Sequence, residues 1–160
     1  MKTAQEWFDE YGVSHQNPTN KLIHWICVPT IFFSIAGLLV SIPSDFLSSF
    51  FPSSVAPYAN FGSLAIALTC IFYFSISRTI FLGMLLFSAF TVWLNVRIMQ
   101  STEVPLWTIS LLLFVLAWIG QFIGHNIEGK RPSFLKDLQF LLVGPAWLLG
   151  FIYKGLGIKY

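Results

Sequence analysis

Hydrophobic positions in this chain run in long blocks rather than in alternation. Five stretches hold no Asp, Glu, Lys or Arg: 22–44, 46–77, 79–96, 104–127 and 138–153, together 113 of 160 residues. A helix that crosses a bilayer takes about 20 mostly apolar residues, with a range of about 17–25. Five candidate spans follow: 25–42, 61–77, 79–96, 104–124 and 138–153. The fifth is the shortest and carries Pro145. Arg78 is the only charge between the second and third, which predicts a tight helical hairpin there. Segment 43–60, with Pro43, Pro52 and Pro57 and several serines, reads as a loop, and its Phe46, Leu47, Phe50 and Phe51 place it in the membrane interface. Before the first block, Thr3 and Glu6 have the spacing of a capping box. Ala4, Trp7, Phe8 and Tyr11 then keep the i, i+3, i+4, i+7 pattern of a short amphipathic helix for the membrane surface, and Gly12 stops it. The expectation is an all-α integral membrane bundle of about five transmembrane helices in a single domain. Residues 1–17 form the interfacial helix and its link, and 18–160 form the bundle.

Composition narrows this further. Hydrophobic residues make up 56% of the chain and charged residues 10%, against about 25% charged in soluble domains. That excludes an ordinary soluble domain and a disordered chain. A net charge of +2 is too small for a nucleic-acid partner held through its phosphates. The acidic N-terminus lacks a basic region and a small-residue cleavage site, so no signal peptide is expected. Cys27 and Cys70 fall inside apolar spans and read as two buried thiols, not a disulfide or a metal pair. With five spans, Lys2, Lys21, Arg78, Lys130, Arg131 and Lys136 share one side, and Arg97, Lys154 and Lys159 the other. The positive-inside rule then puts the N-terminus in the cytoplasm. The chain is expected to be multi-pass, in the inner membrane of a bacterium or the endoplasmic reticulum of a eukaryote, among membrane lipids. A homo-oligomer is compatible with such a bundle.

The polar residues that remain gather on one side. His15, His24 and His125 are the only histidines, and this topology puts all three at cytoplasmic ends of spans. Asn17-Pro18 reads as the N-cap and first residue of the first spanning helix, with Asn20 and His24 one turn apart on one face and Pro29 kinking it. The fourth spanning helix is expected to run to Glu128, with Gly129 just past its end. Gln121, His125 and Glu128 then fall within about 40–60° of one another on one face. Gly120 and Gly124 have the small-xxx-small spacing that lets a neighbouring backbone approach closely. Any single one of these features has a structural explanation. Gln121 can simply join two helices, Glu128 can pair with Lys130 or Arg131, and those two cations can simply set topology. Three imidazoles converging from separate elements suit a transition metal with open coordination positions. Sequence leaves open whether three histidines bind it or two histidines with Glu128, the latter favouring non-haem Fe(II) and O2 chemistry.

With these residues in view, the sequence resembles a family of small membrane proteins first classed as a domain of unknown function. Its characterised eukaryotic members are 2-hydroxy fatty acid dioxygenases of phytosphingosine breakdown. The matching residues are Tyr11, His15, Asn17, Pro18, Asn20, Ile23, His24, Val28 and Pro29, then Trp118, Gln121, Phe122, Gly124, His125, Lys130, Arg131 and Pro132, with Leu138 and Pro145 following. Gln16 stands where eukaryotic members carry a second histidine. The resemblance implies an oxidoreductase of lipid metabolism that uses Fe2+ and O2 to shorten a long-chain 2-hydroxy fatty acid by one carbon, in α-oxidation. It implies that His15, His24 and His125 are the catalytic metal ligands. Gln121, Glu128 and Asn20 are then expected around them as supporting groups or a further ligand, with Lys130 or Arg131 on the substrate carboxylate. Other readings are a metal- or haem-carrying membrane protein without oxygenase activity, and a lipid-binding membrane protein without catalysis.

Overall fold

The computed structural model describes residues 2–129 and 140–160. The described residues are all-helical and contain no strand. The helices are α1 (Ala4–Gly12), α2 (Pro18–Val40), α3 (Asp45–Ser48), α4 (Phe61–Ile76), α5 (Arg78–Ser101), α6 (Leu106–Glu128) and α7 (Val143–Gly155), with a 3-10 turn at Ala56–Tyr58. Three of them, α2, α5 and α6, are long and apolar enough to cross a membrane, at 23, 24 and 23 residues. α4 is apolar but has 16 residues. The expected fifth span is shorter than the sequence suggests. α7 has 13 residues, about 20 Å at 1.5 Å per residue, against a hydrocarbon core of about 30 Å.

The start and stop signals act as their chemistry requires. Thr3 Oγ1 accepts from the Glu6 N–H, and the Glu6 carboxylate accepts from the Thr3 N–H at 2.7 Å, completing the capping box. The Thr3 backbone N–H is the main cause that holds the Glu6 carboxyl below the ordinary value. Asn17 Oδ1 accepts from the N–H of Thr19 at 2.8 Å and starts α2 at Pro18. Gly129, at φ 73°, ends α6 in the left-handed conformation that glycine takes without strain. Ser77 is both the last cap of α4 and the N-cap of α5, so the hairpin at Arg78 is as tight as expected.

α2 is the central element and packs along α6, α4, α5 and α7, most extensively along α6. Small residues make that possible. A Cβ added at Gly120 would stand 2.5 Å from Cys27 Sγ, and one at Gly124 would overlap Asn20 Oδ1. At the other end of α2, a Cβ on Gly37 would overlap both Ser110 Oγ of α6 and Asn95 Oδ1 of α5. Asn95 also donates to the Phe33 carbonyl of α2 at 3.2 Å. Cys27 and Cys70 are buried free thiols. The apolar stripe of α1 has a different partner from the one the sequence suggests. Ala4, Phe8 and Tyr11 are buried in one core cluster with Ala146, Trp147 and Leu148 of α7, so protein rather than lipid covers that face. The pattern of α1 specifies a buried stripe but not the material that buries it. Phe46, Phe50 and Phe51 in the 43–60 connection are exposed.

Gly37→Ala should lower stability by about 1–3 kcal/mol, since its methyl group can enter only by separating α2 from α5 and α6. Gly155→Ala, whose Cβ meets nothing within 4 Å, should be neutral or slightly stabilising. Thermal midpoints of the two variants in detergent test the difference.

Candidate metal centre

Three elements deliver the histidines. His15 sits in the link after α1, His24 in the second turn of α2, and His125 in the last turn of α6. All three are buried, at 3%, 0% and 5% exposure. Each offers one ring nitrogen to a common point, and these atoms lie within 4.8 Å of one another. The ring centroids of His24 and His125 are 5.1 Å apart, and those of His15 and His24 4.3 Å. The glycine contact between α2 and α6 sets the first distance, and the short link that closes α1 onto α2 sets the second.

Hydrogen bonding fixes how the rings are used. His15 Nδ1 lies 2.7 Å from the Tyr11 carbonyl, and His24 Nδ1 lies 2.9 Å from the Asn20 carbonyl. A carbonyl oxygen only accepts, so each Nδ1 carries its proton and donates. The Nε2 atoms of the two neutral rings are then bare, and they face each other at 2.9 Å. Two lone pairs at that distance repel, and burial in low dielectric strengthens the repulsion. Only a cation or an added proton between them relieves it. Two imidazole nitrogens about 2.1 Å from one ion, at right angles, stand about 3 Å apart. Ligating histidines characteristically donate their other ring N–H to a carbonyl or carboxylate. The donor set therefore fits a transition metal, with His125 as the third imidazole.

The surrounding residues divide into tethers and walls. Glu128 is a tether. Its carboxylate accepts from the backbone N–H groups of Gln16 and Asn17, both at 2.9 Å, and from Asn20 Nδ2 at 3.1 Å. A carboxylate is poorly placed at the C-terminus of its own helix α6 but well placed at the N-terminus of α2. It is not one of the groups converging with the histidines, and the geometry assigns it to holding the His15 link and α2 on α6. Asn20 has the same structural work through its Nδ2 and its carbonyl. Gln121 is different: it is 7% exposed, its Oε1 has no hydrogen-bond partner among the described residues, and it lines a cavity of about 30 Å³ beside His24 and His125. That volume holds about two water-sized molecules. Lys130 and Arg131 lie outside the described residues.

The walls around the histidines include residues already named from the sequence, Tyr11, Val28 and Trp118, and others that were not. Tyr11 stacks on His15 with centroids 4.2 Å apart, and Trp147 of α7 meets the Tyr11 ring edge-on at 5.1 Å. Tyr11, Val28, Ile31, Trp118, Phe140, Leu141 and Gly144 line the cavity, with Trp147 packed behind Tyr11. Tyr11 had a signal, since it stands one helical turn before His15. Trp147 had none, because α7 reaches the site only through tertiary packing. Beside His15, a wider groove of about 420 Å³ is lined in part by Asp9, Gln16, Lys21 and Lys154.

Comparison with known proteins places the chain in a family. The family model for Mpo1-like 2-hydroxy-palmitic acid dioxygenases matches residues 1–156. The chain belongs to the Mpo1-like family. It is similar to the 2-hydroxy-palmitic acid dioxygenase MPO1 of Saccharomyces cerevisiae, at 30% identity over 147 residues, covering 90% of this chain and 76% of the yeast protein. No solved structure matches it. Within this chain His24 lies on α2 and Gln121 and His125 on α6, the two helices that pack most extensively.

If Glu128 is a tether, Glu128→Gln should keep the wild-type metal content while lowering stability by about 1–2 kcal/mol through weaker bonds to the α2 N-terminus. Metal analysis beside thermal unfolding separates this from a ligand role, which would empty the site.

Proposed function

We propose that this chain is an Fe(II)-dependent dioxygenase that shortens long-chain 2-hydroxy fatty acids by one carbon, as in α-oxidation. The observation that carries the reading is the buried set of three imidazoles whose ring nitrogens lie within 4.8 Å of one another, with His15 Nε2 and His24 Nε2 2.9 Å apart. Membership of a family named for 2-hydroxy-palmitic acid dioxygenases supports the substrate class. Among the metals that imidazole suits, a redox-active one is needed for O2 chemistry, and iron meets that need where zinc does not.

His15, His24 and His125 would hold the iron, which supplies the redox chemistry for activating O2. The chain's own residues do the rest. The carbonyls of Tyr11 and Asn20 fix the histidine tautomers. Val28, Ile31 and Trp118 exclude water from the cavity. Gln121 Oε1, buried without a partner among the described residues, accepts a hydrogen bond from the substrate's 2-hydroxyl. Lys130 or Arg131 holds the carboxylate. The tail lies among the apolar helices.

The same reading places the chain as one multi-pass membrane domain. α2, α4, α5 and α6 are four spans, and the segment ending in α7 is the fifth. The N-terminus and the histidines face the cytoplasm, and the membrane is the inner membrane or the endoplasmic reticulum according to the host. Self-association of the bundle is part of the reading.

His15→Ala, His24→Ala and His125→Ala should each abolish bound iron and turnover of 2-hydroxypalmitate while far-UV circular dichroism keeps its helical signal. Metal analysis and product mass spectrometry on purified protein decide it, and a variant that retains both iron and turnover overturns the assignment. Gln121→Leu should retain iron yet lose about 10–100-fold in kcat/KM, read in the same assays.

A further inference from the structure

The histidine cavity has an apolar continuation. Leu141 lines the cavity beside His24 and His125, and it also lines a second cavity of about 130 Å³ between α2 and α4. On α2, the lining passes from Val28 and Ile31 to Phe32, Ile35, Ala36 and Leu39. From His24 to Ala36 the helix rises about 18 Å. The opposite wall is α4, where Gly62 and Ala65 leave the gap that larger side chains would fill. The junction is held from α4: Tyr73, fully buried, donates through its hydroxyl to the Leu142 carbonyl at 2.9 Å.

The groove offers a ligand nothing polar. Among the described residues Thr69 is its only polar lining side chain, and the Thr69 hydroxyl is spent on the Ile66 carbonyl at 2.9 Å. A peptide seated there would leave its backbone groups without partners, which is costly. A polymethylene chain has no such groups. A further apolar cavity, of about 120 Å³ and lined by Trp25, Pro29, Met84, Leu149 and Ile152 among others, shares no lining residue with the histidine cavity.

We propose that the groove between α2 and α4 is the acyl-chain subsite, entered from the histidines past Leu141, and that Ala36, Leu39 and Ala65 set the chain-length preference. This rests on the histidine cluster being the reaction centre. The polar head of a 2-hydroxy acid stays at the histidines, and the tail descends along α2 towards Leu39. A tail too short to pass Leu141 gains nothing from the groove.

Two measurements test the subsite separately from the reaction. In the first, Ala65→Phe is assayed on 2-hydroxypalmitate and 2-hydroxyhexanoate. It should lower kcat/KM for the long acid at least about tenfold while leaving the short one nearly unchanged. Leu39→Ala should shift preference towards acids longer than palmitate. Ile152→Phe, in the unconnected cavity, should leave the profile as it was. An equal loss on both acids, or an unchanged profile in both groove variants, overturns the subsite. In the second, the iron-loaded protein is photolysed with a 2-hydroxy fatty acid bearing a diazirine near its tail end. Labelling of the Leu39 and Ala65 peptides that unlabelled 2-hydroxypalmitate suppresses, and phosphatidylcholine does not, supports the subsite. Labelling at Met84 or Ile152, or labelling that any lipid suppresses, overturns it. Should the wild type turn over neither acid, the functional reading fails, and the labelling still decides the groove.

Discussion

The close approach of α2 and α6 is the constraint on which the rest of the structure depends. Gly120 lies against Cys27 and Gly124 against Asn20, with no room for a methyl group at either position. In a bilayer the hydrophobic effect gives apolar helices no reason to prefer one another over lipid, so contact of this kind must come from close packing and hydrogen bonds. Both are concentrated here. The glycines bring the backbones together, and Glu128 ties the end of α6 to the start of α2 through Gln16, Asn17 and Asn20. His24 and His125 meet because the two helices carrying them cannot be farther apart. Losing the crossing would separate the imidazoles before it unfolded any helix.

The scarcity of charge gives each polar group an assignable task. Glu128 has three donors and holds two helices together. Tyr11 and Asn20 lend carbonyls to the ring N–H groups, although both had attracted attention for their side chains. Gln121 Oε1 is a buried amide oxygen without a hydrogen-bond partner among the described residues, as are Asn20 Oδ1 and Asn95 Oδ1. Burying such a group unpaired costs about 1–3 kcal/mol.

Much of this was legible in the sequence because the signals were local. The capping box at Thr3, the Asn17-Pro18 start and the Gly129 stop depend on a few neighbouring residues, and each stands where its chemistry puts it. The convergence of three histidines was also legible, since spans force residues at like ends onto one side. What eluded sequence reading was tertiary. The apolar face of α1 is the same whether lipid or α7 covers it, so α1 reads as a surface helix until α7 is in place. The carboxylate of Glu128 shares a helix face with His125, yet periodicity fixes only a direction, and the competing donors on α2 decide its partner. The length of α7 escaped for a similar reason: an uncharged run bounds where a span is allowed, not where the helix starts.

The far end of α2 completes the logic. Gly37 is pressed between Ser110 of α6 and Asn95 of α5, and Asn95 donates to the Phe33 carbonyl. With Gly120 and Gly124 at one end and Gly37 at the other, α2 is held to α6 at two depths about 20 Å apart along its axis. Two such contacts fix both its distance and its tilt. α4 meets α2 at one end through Gly62, which lies against Val40 and the Ala36 carbonyl. Towards the other end, α4 reaches the 140–142 turn through Tyr73. Between those contacts the two helices carry Ala36, Ala65 and Thr69, side chains too small to close the space. The open groove is therefore a consequence of where the tight contacts lie: the packing that assembles the histidines also leaves the adjoining space unfilled.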